Sequence, residues 1–145
     1  MVNARVEVEG ETIGRIDKGL LVFIGIGRKD SKETADKLIK KLVGLRIFED
    51  EKGKTNLSIN DVNGKLLLIS QFTLYANCKK GNRPSFTEAG EADISEEIYD
   101  YIISQCKNIM PGRVEHGSFG ADMEVSLINS GPFTVLLDSN DILGS

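Results

Sequence analysis

KLLLISQF, residues 65–72, is apolar without a break from Leu66 to Ile69 and then turns polar at Ser70 and Gln71. A short continuous apolar run of this kind reads as a strand buried on both faces. A second run, GLLVFIGIG at residues 19–27, reads as a central strand. Working outward, ARVEV (4–8) alternates, with Ala4, Val6 and Val8 on one face. Glu9-Gly10 then signals a turn, and ETIGRI (11–16) completes a hairpin. Ala35, Leu38, Leu42 and Leu45 form a helical stripe, which predicts a helix at about 31–45. Asp30 is its expected cap, with Glu33 reaching back. Ile94, Ile98, Tyr101, Ile102 and Ile109 predict a second helix, capped by Asp93 and ending at Met110-Pro111. Residues 46–49 read as a short strand, 50–64 as turns, and 73–85 as a long ordered loop. Two last strands, at about 122–129 and 133–138, flank Gly131-Pro132. The expected fold is α+β: a mostly antiparallel sheet, curled like a barrel, with two packed helices, in a single domain over residues 1–145.

Charged and apolar fractions of 28% and 40% are ordinary for a globular protein. The run from Leu20 to Ile26 is far too short to span a bilayer. MVNARVEVEG has no apolar signal region, so a cytoplasmic protein without membrane association is expected. A net charge of −4 argues against a dedicated nucleic-acid coat. The charge is uneven, however. Residues 88–100 are acidic, while Lys79, Lys80 and Arg83 cluster, as do Lys37, Lys40, Lys41 and Arg46. Such patches can hold a few phosphates, although an ordinary solvated surface has the same pattern. Cys78 and Cys106 form no C-x-x-C pair, and His116 is the one histidine. Neither a metal site nor a disulfide framework is expected from that set.

No glycine-rich dinucleotide or phosphate loop and no G-x-S-x-G elbow occurs. His116, in VEHGSFG, reads as a loop or surface residue. The unusual stretch is ISQFTLYANCKKGNRPSF, residues 69–86. Ser70, Gln71 and Thr73 surround Phe72 at the end of a core strand, where polar side chains find partners or face a cleft. Turn and cap hydrogen bonding accounts for them equally well. Thr73 is the obvious hydroxyl nucleophile, but no base is visible to activate it. The second unusual stretch is LINSGPFTVLLD, 127–138. Proline has no N–H for a ladder, so this strand interrupts itself. NSGP reads either as a hairpin turn or as a site for a cis Gly131-Pro132 bond that turns backbone carbonyls outward.

Together these two stretches resemble the D-aminoacyl-tRNA deacylase family, also called D-tyrosyl-tRNA deacylase. Ser70-Gln71-Phe72-Thr73-Leu74 matches its SQFTL motif, and Asn129-x-Gly131-Pro132-x-Thr134 matches its N-x-G-P-x-T. GSFGADMEVSL (117–127) is similar to the segment between them. The likeness runs from about Ala4 to about Leu137. This chain has Ser130 where the family usually has aspartate, Phe133 where it has a small aliphatic, and Ala76-Asn77-Cys78 where an aspartate is common. The family opens with a Q-R-V strand whose arginine braces the Gly-Pro motif. Arg5 is not its counterpart, so a shortened first strand or another brace is expected.

The resemblance implies a homodimer with its active site at the subunit interface. There the SQFTL strand end of one subunit meets the Gly-cisPro motif of the other. It implies hydrolysis of the ester of D-aminoacyl-tRNA, with glycyl-tRNA a further substrate. The partner is the acceptor end of tRNA, not DNA, and no cofactor or metal is needed. Ser70, Gln71, Phe72 and Thr73 would carry catalysis, chiefly through backbone N–H groups. Gly131 and Pro132, supported by Asn129 and Met123, would read chirality at the substrate Cα; core packing accounts for Met123 equally well. Lys79, Lys80 and Arg83 would hold acceptor-stem phosphates. Two rivals are a related editing enzyme of altered selectivity and a non-catalytic dimeric RNA-binding module. Without the resemblance, the residues support a soluble α+β domain with a polar strand-end site.

Overall fold

The structure is a computed structural model, described over residues 3–142. The turn residues form the hairpin as expected. Glu9 and Gly10 both take positive φ, 52° and 79°, which joins β1 (Asn3–Val8) to β2 (Glu11–Ile16) through a two-residue turn. On the other side of β1 lies β8 (Met123–Ile128), also antiparallel, giving the order β2-β1-β8.

The second sheet is parallel. In it β6 (Lys65–Ser70) lies between β3 (Gly19–Ile24) and β7 (Val114–His116). This corrects two expectations. GLLVFI is an edge strand and not a central one, and in place of one mostly antiparallel sheet there are an antiparallel and a parallel three-stranded sheet. Unbroken apolar runs are what parallel strands covered on both faces show. The short strands β4 (Phe48–Glu49) and β5 (Thr55–Leu57) pair separately, and β5 lies inside the stretch read as turns. Among the described residues the strands form these separate sheets and close no barrel.

The middle strand β6 explains the layering. Leu66 and Leu68 face the helices α1 (Lys32–Gly44) and α2 (Ala92–Ile109), meeting Ala35, Ile39, Ile98, Ile102 and Cys106. Leu67 and Ile69 face the first sheet, against Ala4, Val6 and Ile16. All four side chains are at most 1% exposed. Each contributes roughly 1.5–3 kcal/mol of burial. The protein is thus a mixed α/β domain with β6 at its centre. Among the described residues no helix is long and apolar enough to cross a membrane.

Several element ends differ from the sequence reading. Ser31, not Asp30, caps α1, in a reciprocal capping box with Thr34. Glu91, not Asp93, precedes α2, and it makes no side-chain cap. The buried face of α2 is Ser95, Ile98, Tyr99, Ile102, Ile103 and Cys106, so Ile94 and Ile109 point outward. The Tyr99 hydroxyl donates to the carbonyl of Leu68 at 2.9 Å, and burial pushes its pKa up to about 12. Burial likewise pushes the Cys106 thiol up to about 11, whereas Cys78 is exposed. His116 lies on β7, half-buried, with Nδ1 2.8 Å from the carbonyl of Gly117. Residues 133–138 form no strand. A strand needs a hydrogen-bonding neighbour, and this segment has none among the described residues, leaving Phe133, Val135 and Leu136 exposed. A one-turn helix, α3 (Ser139–Ile142), follows it.

Candidate active site

β6 delivers its last residue, Ser70, to the rim of the sheet. The chain then winds into a single 3-10 turn, Phe72–Tyr75, where the sequence suggested only loop. The Gln71 N–H donates to the carbonyl of Ile24 at 2.7 Å, so the turn starts tied to the end of β3. The Gln71 side-chain amide donates to Thr73 Oγ1 at 2.5 Å. The Ala76 N–H closes the turn onto the carbonyl of Thr73 at 3.0 Å. A turn of this kind leaves its first N–H groups without intrahelical acceptors. Phe72, Thr73 and Leu74 are exposed. The ring of Phe72 meets that of Phe86 edge-on, with centroids 5.2 Å apart.

Beyond the turn, Asn77 and Ser85 pair through two backbone bonds of 2.7 and 2.8 Å. This closes a loop that carries Lys79, Lys80 and Arg83 outward, and among the described residues none of the three forms an ion pair. The other basic cluster, Lys37, Lys40, Lys41 and Arg46, lines a hollow of about 390 Å³ at the end of α1, together with Ile142.

The second motif is built by Asn129. Its Nδ2 donates to Thr134 Oγ1 at 2.9 Å, and its Oδ1 accepts the Phe133 N–H at 3.0 Å. Between these anchors the Gly131-Pro132 bond is cis. Gly131 has φ 127°, which a side chain would strain. Met123 sits on the inward side of β8, packed against the small core behind β6, with its sulfur close over Gly117. No hydrogen bond joins the two motifs within the chain among the described residues. The same residues place no three His, Cys, Asp or Glu side chains where they could share a metal ion.

Sequence reasoning took Asp30 only as a helix cap and did not single out Tyr75. Asp30 Oδ2 accepts from the Gly27 N–H at 2.7 Å and from the Tyr75 hydroxyl at 3.2 Å. Burial first, and then the nearby charges of Asp30, Asp138 and Glu88, push the Tyr75 phenol up to about 12. The one sequence signal was an aspartate directly before a serine that caps the helix better.

Two polar features thus stand at strand ends, each fixed by side-chain amides, in the order and spacing of one family. Residues 1–138 match the model of that family, D-Tyr-tRNA(Tyr) deacylase. The chain belongs to it. A D-aminoacyl-tRNA deacylase of Thermosipho africanus is 53% identical over 140 residues, which cover 97% of this chain and 93% of that protein. Among solved structures, a c-Myc DNA Unwinding Element Binding Protein superposes with a TM-score of 0.90 at 36% identity, over 94% of this chain and 93% of that one. A probable eukaryotic D-amino acid tRNA deacylase shares the fold at a TM-score of 0.73 and 17% identity, over 87% and 88% of the two chains.

Proposed function

We propose that this deacylase-family protein hydrolyses the ester joining a D-amino acid to the terminal ribose of tRNA, releasing the free amino acid and the tRNA. The observation that carries this reading is the 3-10 turn at Phe72–Tyr75, a set of backbone donors on exposed residues, fixed at the end of a strand whose four middle residues, Leu66 to Ile69, are buried. Water attacks the ester carbonyl. The oxyanion is held by N–H groups at Phe72 and Thr73, with Ser70 and Gln71 beside them. The ribose oxygen leaves and takes up a proton. Thr73 aligns the turn and is not the nucleophile, because its oxygen accepts from Gln71 and no described base contacts it.

Gly131 and Pro132 read chirality. Their carbonyls sit against the substrate Cα and ammonium, so a D side chain points outward and an L side chain strikes the wall. Asn129 holds that segment, and Met123 supports it from the core side. Glycine, which has no side chain to clash, is accepted as well.

In our reading the site is completed across a homodimer, the Gly-Pro motif of one subunit meeting the turn of the other. The exposed surface supports this. Leu127, Ile128, Phe133, Val135 and Leu136 form an uncovered apolar edge, Leu136 at 83% exposure. A monomer of 15.9 kDa exposes roughly 7,400 Å², whereas this chain exposes 9485 Å². The two three-stranded sheets, packed through Leu67 and Ile69, act as the walls of a barrel-like body. The whole chain works as one such domain in the cytoplasm, where its substrate is made. Lys79, Lys80 and Arg83 hold acceptor-stem phosphates.

The deciding experiment follows ester loss from matched D-tyrosyl-, L-tyrosyl- and glycyl-tRNA. Rapid loss of the D-ester with the L-ester spared is the expected result. Loss of all three at the buffer rate, with tRNA still bound, would replace the enzyme with an RNA-binding module.

A further inference from the structure

We propose that Asp30 is a positioning residue for the reaction, acting through Tyr75 to hold the Phe72–Tyr75 turn in register. This rests on the reading that the turn receives the ester.

The turn is gripped at both ends by one loop. At its start, the Gln71 N–H is bonded to Ile24, where β3 runs out. At its finish, the Tyr75 hydroxyl donates to Asp30, 45 residues away in the chain. Asp30 is itself fixed, because the same Oδ2 takes the Gly27 N–H and the Asp30 N–H returns to the carbonyl of Gly27 at 3.2 Å. The carboxylate therefore staples the loop tip and the turn together.

The surfaces between these ends are in direct contact. A Cβ on Gly27 would lie 2.6 Å from the Tyr75 hydroxyl oxygen and 2.8 Å from its ring carbon. A Cβ on Gly25 would lie 3.1 Å from the Cβ of Leu74 and 3.3 Å from the carbonyl of Gln71. The turn lies on bare glycine backbone, which lets the Tyr75 ring reach Asp30.

The grip matters because burial does little to fix this turn. Phe72 is 59% exposed and Leu74 is 51% exposed. Preorganised donors work only if they do not relax as charge develops, and displacements of about 1 Å cost on the order of a hundredfold in rate. The phenol stays protonated throughout the physiological range, so it is always a donor. Asp30 is free for this role because Ser31 caps the helix.

The test compares Asp30→Ala, Asp30→Asn, Tyr75→Phe and the double variant Asp30→Ala/Tyr75→Phe. Steady-state hydrolysis of D-tyrosyl-tRNA, thermal melting and amide hydrogen exchange are measured for each. We expect Asp30→Ala and Tyr75→Phe each to lower kcat roughly ten- to a hundredfold with KM within about twofold. The double variant should be no worse than the poorer single, since both break one link. Asp30→Asn, which keeps an acceptor oxygen, should recover most of kcat. Exchange should quicken at the bonded amides of residues 74 and 76 and at 27 while α2 stays protected. Unchanged kcat in both single variants, or a double effect equal to the product of the singles, overturns the proposal. Inactive wild-type protein would sink the functional reading instead, and unaltered exchange at 74 and 76 would then overturn the staple independently.

Discussion

Asn129 and Thr134 are joined across the Gly131-Pro132 segment by a 2.9 Å hydrogen bond, while the other end of the Asn129 amide accepts the Phe133 N–H. One planar side chain thus closes the turn by its donor and its acceptor together. Asn129→Ala removes both bonds. We expect a loss of about 1 kcal/mol or less in stability, because the segment is largely exposed. Selectivity should suffer more. The ratio of D- to L-tyrosyl-tRNA hydrolysis should fall, and Asn129→Asp, which keeps only the acceptor, should fall between. An unchanged ratio would remove Asn129 from the selectivity element.

Thr73 offers a sharp test of the nucleophile. If its hydroxyl only accepts from Gln71, Thr73→Ala loses one hydrogen bond, worth about 1 kcal/mol, and kcat drops by less than about tenfold. Loss of a true nucleophile costs on the order of 10⁴ or more. Single-turnover rates for Thr73→Ala and Thr73→Ser decide between them.

The loop closed by Asn77 and Ser85 presents Lys79, Lys80 and Arg83 without ion-pair partners among the described residues. Reversing two of these charges should raise KM for tRNA and leave kcat within about twofold. The slope of log Kd against log salt should shrink by roughly one for each phosphate that is no longer held. An unchanged slope would place the tRNA backbone elsewhere.

Alkaline titration reports the tyrosines. Tyr75 and Tyr99 are both pushed up to about 12, and Tyr101 is also raised, by its hydrogen bond to Asp36. The folded state therefore holds these protons more tightly than the unfolded chain, whose phenols titrate near 10. The stabilising contribution of Tyr75 and Tyr99 is complete below about pH 10 and is lost as pH climbs through about 12. Phenolate absorbance should lag in native protein relative to the urea-unfolded chain, with melting temperature falling over that interval. Coincident titration curves would contradict the burial of Tyr99.

Much of the fold was legible where one local signal dominates. Glu9-Gly10 between alternating strands specifies a hairpin, and the apolar run at 66–69 specifies the middle strand. Other features depend on partners distant in sequence. Which face of α2 is buried was ambiguous, because isoleucines ring the helix and only packing selects Ile98 and Ile102 over Ile94 and Ile109. Parallel pairing of β3 with β6 is invisible in either run alone. Strand propensity at 133–138 was real but insufficient without a neighbour. The two motifs of the site were readable as polar interruptions of apolar strands. Their supports were not, because Asp30 and Tyr75 meet only after 45 residues have folded between them.

Cys106 gives the protein a built-in gauge of its own opening. Its sulfur lies beneath α2 with none of its surface exposed, while Cys78 stands on an outer loop. A thiol reagent should therefore modify the native protein in two separate phases. The first counts molecules, and the second waits for α2 to lift away from β6. The ratio of that slow rate to the rate in unfolded chain is an opening constant, obtained without denaturant and on the unaltered sequence.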